Sequence, residues 1–566
     1  IAFHPTDTAT VYVGAPSGGF WTTHDSGKTW SSATDTMPTL GVSSILVSKT
    51  NPNQILIGTG DRDGGDAPGL GVYRSDDGGR SWVKFNQGMG NVTVGMMARC
   101  ETNERFILAA TSGGIFKTLD GGENWTRTST DQSNFKDIKF RPGSSTTAYA
   151  VTGGNFFRTI DGGSSWTLVP QSNGYISGGR YVIGVSAAND SLVYLVNGGS
   201  SFGGCFLSRD FGQTFVTQAT TPNILGYEYD GSDSKSQASY DLMMLVDPNN
   251  PLKLFVGGIN IWRSLDGGKT WSITSHWWGD RTNEMHADQH TIAFNPLNHR
   301  VYAGNDGGIY YTDNDGTKWH EISEGLGIGQ MYKLGVSNTD GTKMTVGFQD
   351  NGSATWFNGN WLNTGGGDGM ECAVDPLDSR YSYTTIYYGS INRYYNNGSA
   401  RKVAANGTNG ITEEGAWVTP FLLSETDGNI MVIGYKNIWI CRNIKTNATP
   451  VWTKISNNLA NSNSSNMSAL EQSPADVNIL YAVRSDSKMF RTDNLMESTV
   501  VWTNLTGSLP VAGTPSDVEC HPYDPNTVYI VLNKKVYKSS NKGASWENIS
   551  GSLPSVTFNT IVFDKT

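Results

Sequence analysis

The sequence predicts an all-β protein made of tandem seven-bladed β-propellers, each blade a four-stranded sheet. Three observations carry that prediction. A nearly constant octapeptide recurs: Thr23-His-Asp-Ser-Gly-Lys-Thr-Trp30 is followed by Ser75–Trp82, Thr118–Trp125, Thr159–Trp166 and Ser264–Trp271. Short apolar runs punctuated by Gly, Pro, Asn and Asp fill the intervals, and helical periodicity is almost absent. Radial repetition of small sheets hides strand edges, so a propeller is the economical arrangement of such units.

Each position of the pattern [S/T]-x-D-x-G-x-x-W has a physical task in a tight turn between two strands. The carboxylates of Asp25, Asp77, Asp120, Asp161 and Asp266 can accept backbone N–H groups across the turn. Gly at the fifth position supplies a backbone conformation that other residues resist. The Trp that follows opens the next strand with a large apolar face. These aspartates are therefore read as structural staples of the hairpin rather than as catalysts.

Weaker copies extend the register. Ser208–Phe215 keeps the frame with Asp210 and a Phe for the Trp, Thr312–Trp319 places Asn314 in the Asp slot, and Ser539–Trp546 does the same with Asn541. Trp361, the stretch near Lys402, Trp452 and Trp502 continue the spacing without the full motif. The interval averages about 47 residues, the length of one four-stranded blade. Each unit opens with an apolar strand such as Ile292-Ala-Phe-Asn-Pro296, and continues with a second such as Val301-Tyr-Ala-Gly304, before its turn motif.

Twelve such units and the strand-like segment Val556–Lys565 are expected to divide as 1–325, a first propeller of about seven blades, and 326–566, about five blades plus the first strand of another. Single cores rarely grow beyond about 250–300 residues, which favours two rings over one. The chain begins with Ile1 inside a strand and ends as abruptly, so further sequence is expected at both ends.

Composition narrows the function. With 68 Gly, 16% charged residues and a net charge of −10, the chain reads as a rigid, turn-rich extracellular protein. An acidic surface with no basic run argues against nucleic acid as partner, and no apolar stretch approaches a membrane span. The five cysteines are dispersed without metal-ligand spacing and read as buried thiols. Sequons such as Asn351-Gly-Ser are expected by chance in a chain this rich in Asn, Ser and Thr.

The octapeptides resemble the Asp boxes of sialidases, sortilin-type receptors and the tandem-propeller xyloglucanases. The segments Gly58–Asp66, His286-Ala-Asp-Gln-His290, Gly304-Asn-Asp-Gly-Gly308, Gly347–Gly352, Gly367–Cys372 and Gly415–Pro420 resemble a family of large secreted propellers of Bacteroidota. That resemblance spans essentially the whole chain. It implies an extracellular or cell-surface location and export as cargo of the type IX secretion machinery.

In a propeller the turn aspartates occupy the rim, and ligands meet loops near the central channel or between rings. Attention therefore falls on departures from the repeat. His286, Asp288 and His290 would share one face of a strand by alternation, and two imidazoles with a carboxylate are acceptable ligands for a divalent metal. A polar lining of the channel is the plainer reading of the same residues. Asp61, Asp63 and Asp66 lie in a Gly-rich insertion whose oxygens suit calcium, although Asp-Gly is also ordinary turn chemistry. Trp277, Trp278, Tyr387, Tyr388 and Trp417, with the carboxylate of Glu371, are the residue types that bind sugar rings; most tryptophans of a propeller instead fill gaps between blades.

Two functions follow. The first is a secreted or surface-attached binding, adhesion or recognition scaffold for glycan or protein. The second is a glycoside hydrolase with a xyloglucanase-like layout, which needs two carboxylates about 5–9.5 Å apart. Asp61 or Asp63 set against Asp350 or Asp368 across an inter-ring cleft are the candidates. No His-Glu-x-x-His or Gly-x-Ser-x-Gly peptidase signature is present. Binding is the favoured reading, because every identifiable motif explains architecture.

Overall fold

A computed structural model describes residues 1–445, 449–459 and 464–564. Among them the chain forms twelve antiparallel sheets whose strands follow sequence order, consistent with β-propellers. Eleven sheets have four strands. The sixth adds Asn283–Glu284, which pairs in parallel with Ser272–His276. Contacts divide the chain into two compact units, Ile1–Ile328 with seven sheets and Gly329–Thr566 with five.

The strands form where apolar and β-branched residues cluster. In the second sheet Val42–Val47, Ile55–Thr59 and Val72–Ser75 are followed by the short strand Val83–Lys84. Its second strand is buried along its whole length, as expected of a strand covered on both faces. Neighbouring sheets share cores: Leu56 and Val72 pack with Met97, Ile107 and Phe116 of the third sheet. In unit 1 the last sheet also packs on the first. Val11 and Val13 share a cluster with Tyr302 and Ile309, and the Phe3 and Tyr302 rings lie 5.0 Å apart.

The recurrent turns sit between the third and fourth strands, each in its own sheet. Asp25 Oδ1 accepts the backbone N–H groups of Lys28 and Thr29, and its Oδ2 accepts the Thr29 hydroxyl at 2.7 Å. Asp77, Asp161, Asp210 and Asp266 repeat this set, whereas Asp120 accepts the Asn124 N–H and side-chain amide. Gly27 has φ +88, and a Cβ there would meet Ile322 Cβ at 2.7 Å, so both conformation and space require glycine. The Trp that ends the turn often reaches an acceptor in the preceding sheet: Trp125 Nε1 donates to Phe85 O at 3.1 Å, and Trp30 Nε1 to Ile322 O at 2.9 Å.

Asn314 and Asn541 accept Lys318 N–H and Ser545 N–H through Oδ1, as the aspartates do. Longer turns in the tenth and eleventh repeat positions are held the same way, Asn443 accepting Val451 N–H and Asn494 accepting Val501 N–H. Because an amide oxygen serves, Asp161→Asn is expected to leave the melting temperature nearly unchanged. Asp161→Ala, which leaves the Ser164 and Ser165 amides without their acceptor, is expected to lower it by a few degrees; thermal unfolding followed by circular dichroism checks both.

The region near Lys402 forms the strand Arg401–Ala404, and Trp452 and Trp502 open fourth strands. The segment expected to begin a further blade has no strand pairing among its described residues, and Lys565 lies outside them. It runs beside the strand Pro515–Cys520, with Thr560 Oγ1 and Ile561 N–H donating to Asp517. All five cysteines are buried free thiols. Among the described residues no helix is long and apolar enough to cross a membrane.

Candidate functional site

In unit 1 the loop between Ile55–Thr59 and Val72–Ser75 carries polar groups into the space bounded by the first strands of other sheets. Asp61 staples this loop: Oδ1 accepts Asp63 and Gly64 N–H, and Oδ2 accepts Asp66 N–H. Asp63 leaves the loop to meet four cations: Arg62 Nη2 at 2.7 Å, Arg180 Nη2 at 2.9 Å, and Lys136 Nζ and His290 Nδ1 at 3.4 Å. These partners belong to the fourth, fifth and seventh sheets as well as its own. Burial alone would raise the Asp63 pKa, but the guanidinium groups of Arg62 and Arg180 outweigh it and hold the carboxyl well below the usual range.

His290 lies between two carboxylates, its Nε2 2.9 Å from Asp306 Oδ1, an ion-pair approach that lacks hydrogen-bond direction. Burial would lower its pKa, yet Asp306 and Asp63 together raise it to about 9. The Tyr240 hydroxyl donates to Asp306 Oδ2 at 2.9 Å, and its ring meets His290 edge-on at 4.6 Å. The strand begins at Gln289, and Asp288 has φ +65, so strict alternation does not run through His286, Asp288 and His290. His286 instead turns toward the Ala287 carbonyl, while Asp288 accepts the Gln237 amide at 2.8 Å. Asp241, beside Asp288, is wholly buried. Burial pushes both carboxyls upward, reinforced for Asp241 by the charge of Asp288 and for Asp288 by that of Asp306.

Unit 1 also presents Trp277 and Trp278, stacked at 4.6 Å with Trp278 60% exposed. Trp277 is fixed by its N–H to Asn260 Oδ1 and its indole Nε1 to Tyr227 O.

Unit 2 brings several predicted residues together at one edge. Asp368 Oδ1 accepts the Asp350 N–H at 3.0 Å, and Asp350 has φ +58. Tyr332 O–H donates to Gln349 Oε1 at 3.0 Å and accepts Trp417 Nε1 at 3.2 Å. Trp417 stacks on Tyr387 at 5.1 Å with planes 8° apart, and Tyr388 meets it edge-on at 5.5 Å. Gly367, next to Asp368, lies in ordinary van der Waals range of Tyr387, and a Cβ there would be 3.6 Å from its ring. The backbone next to Asp368 therefore borders the aromatic group. All three rings remain exposed, between 40% and 46%. Glu371 faces Lys333 instead, at 3.7 Å.

Tyr388 has φ +62, a left-handed conformation that costs a non-glycine residue about 1–2 kcal/mol. Such strain is stored preferentially at functional positions. Arg62, Lys136, Arg180, Asp241, Tyr332 and Gln349 were not signalled by sequence spacing. Lys136, Arg180 and Asp241 meet partners from other sheets, whereas Arg62 pairs with its neighbour Asp63 and Tyr332 with Gln349 of its own sheet.

No family model matches the chain, and no curated protein matches it by sequence. Among solved structures it is similar to a GH74 enzyme of Niastella koreensis, with 17% identity over 97% of this chain and 84% of that one and a TM-score of 0.60. A GH74 xyloglucanase from Xanthomonas campestris gives 14% identity, 97% and 85% coverage, and a TM-score of 0.61. An ancestral GH74 enzyme gives 13%, 96% and 75%, with a TM-score of 0.55. At these identities the likeness establishes the fold alone, and it relates the chain to propellers.

Proposed function

We propose that this protein is a secreted or surface-attached propeller scaffold that binds carbohydrate through exposed aromatic platforms. In this reading unit 1 is a seven-bladed ring with Asp-box turns, and the chain is exported as type IX secretion cargo to the cell exterior. Glycan is the favoured ligand over a surface protein. The observation that carries this is the exposed Tyr387–Trp417–Tyr388 group, whose Tyr387 ring borders Gly367, the neighbour of Asp368 in the chain. Flat aromatic faces beside a few fixed polar groups are the means by which sites orient ligands. The acids predicted as catalysts are engaged in other ways: Asp61 holds backbone amides, Asp63 holds cations, and Asp368 holds Asp350.

Affinity electrophoresis in xyloglucan and mixed-linkage β-glucan tests the proposal. Trp417→Ala is expected to weaken retardation by about tenfold in apparent Kd, equivalent to about 1.4 kcal/mol. Tyr388→Gly is expected to weaken it too with little change in melting temperature, because relief of the left-handed strain offsets the lost ring contacts and the freedom glycine gives the unfolded chain. Absence of retardation by any neutral polysaccharide would overturn the reading.

The alternative is hydrolysis of a plant-type polysaccharide. It is favoured by the proximity of Asp350 and Asp368 to one another and by likeness to proteins named as GH74 enzymes, one of them a xyloglucanase. Release of reducing ends from xyloglucan, lost in Asp350→Asn or Asp368→Asn, would establish it in place of simple binding.

A further inference from the structure

The interior of unit 1 treats its carboxylates unequally. Asp63 receives four cations. Asp241 forms no ion pair: its side chain is 0% exposed, and apart from the neighbouring Asp288 carboxyl neither Oδ1 nor Oδ2 has a hydrogen-bond partner among the described residues. Its polar neighbour is the carboxyl of Asp288, itself 8% exposed. Asp288 is held from its other side by the Gln237 amide, on a backbone in the left-handed region. The nearby His290 is already occupied by Asp63 and Asp306. A buried carboxyl without a donor is costly, and two of them facing each other cannot both be ionised without a counter-charge.

We propose that Asp241 and Asp288 together hold a hard divalent cation, calcium by the nature of its donors, in the interior of unit 1. The two side chains supply up to four oxygens and no nitrogen or sulfur, the donor set preferred by calcium, whose remaining positions are filled by carbonyl oxygens and water. A cation at this point supplies the direct ion pairing that Asp63 has and Asp241 lacks. Asp306 carries an oxygen within 4.8 Å of one on Asp288, although it is committed to Tyr240 and His290. The proposed pair differs from His286, Asp288 and His290: it retains Asp288, replaces both imidazoles and becomes an all-oxygen site.

The test uses the whole chain, stripped with a chelator and dialysed. Thermal unfolding is measured with EDTA, with calcium chloride and with magnesium chloride, alongside metal analysis of the untreated protein. Calcium is expected to raise the melting temperature by several degrees in a saturable way, with about one ion retained per chain. Asp241→Asn and Asp288→Asn are expected to abolish this shift. In EDTA, Asp241→Asn is expected to melt no lower than the parent, since a neutral amide replaces an uncompensated carboxyl; this separates loss of the site from failure to fold. Magnesium acting in place of calcium, with the same loss in both variants, would also support a hard-cation site. A calcium shift that persists in both variants would place the ion elsewhere and overturn the assignment. Indifference of the parent to calcium, magnesium and EDTA would overturn it as well, leaving a proton shared between the two acids.

Discussion

Asp63→Ala is expected to destabilise unit 1 by about 3–5 kcal/mol, the cost of removing one partner from a buried ion pair. The side chains of Asp63, Arg180 and Arg62 are 7%, 5% and 14% exposed, so water cannot replace the lost carboxylate. Two guanidinium groups, with Lys136 and a His290 made cationic largely by its carboxylate neighbours, would be left facing one another. A fall of about 10 °C in melting temperature should follow for a unit of this size. The double variant Asp63→Ala/Arg180→Met is expected to recover part of that loss, because it removes a charge that has become uncompensated. Urea titration of the three proteins gives the comparison. A single-variant loss below about 1 kcal/mol would mean that this interior is hydrated and that the network is a surface feature in energetic terms.

The architecture was legible because its signal is local. The Asp at position three of each turn captures amides three and four residues later, so its spacing is written directly in the chain, as at Asp25 and Asp266. Where the turn lengthened, the octapeptide vanished although the chemistry did not: Asn443 and Asn494 hold amides eight and seven residues on. The interior of unit 1 was legible only in part. Sequence drew attention to Asp63, Asp288 and His290 as departures from the repeat, but their partners Arg180 and Asp241 precede or begin first strands of other sheets. They meet only when the ring brings those strands together. The alternation expected from Asp288 onward failed for a nearer reason, since a left-handed residue interrupts the extended backbone just before Gln289. At the edge of unit 2, aromatic type alone pointed to Tyr387, Tyr388 and Trp417. Tyr332, which ties Trp417 to Gln349, looked like an ordinary strand residue.

Stability is expected to fall as pH rises from about 4.5 to 7 through one group in unit 2, Glu371. Burial pushes its pKa up to about 7; Lys333 opposes this and Asp517 reinforces it. The folded chain therefore binds this proton more tightly than the unfolded chain, whose carboxyl titrates near 4.3. Between these values the native state carries more protons than the unfolded state, which makes the slope of unfolding free energy with pH negative. The contribution is complete below the unfolded pKa and lost as pH passes through the folded one. A shift of this size corresponds to on the order of 3 kcal/mol. The side chain is only 17% exposed, so solvent screening removes little of it. Glu371→Gln keeps the shape and removes the titration. It is expected to flatten the pH dependence of urea midpoints between pH 5 and 8, and to raise stability at pH 8 relative to the parent. Lys333→Met should act in the opposite direction, because Glu371 then loses the cation that favours its charged form, and its proton would be retained to higher pH. If the parent and Glu371→Gln share one pH profile, the carboxyl must be hydrated and ionised in the native state, and the first strands of unit 2 must admit water at that point.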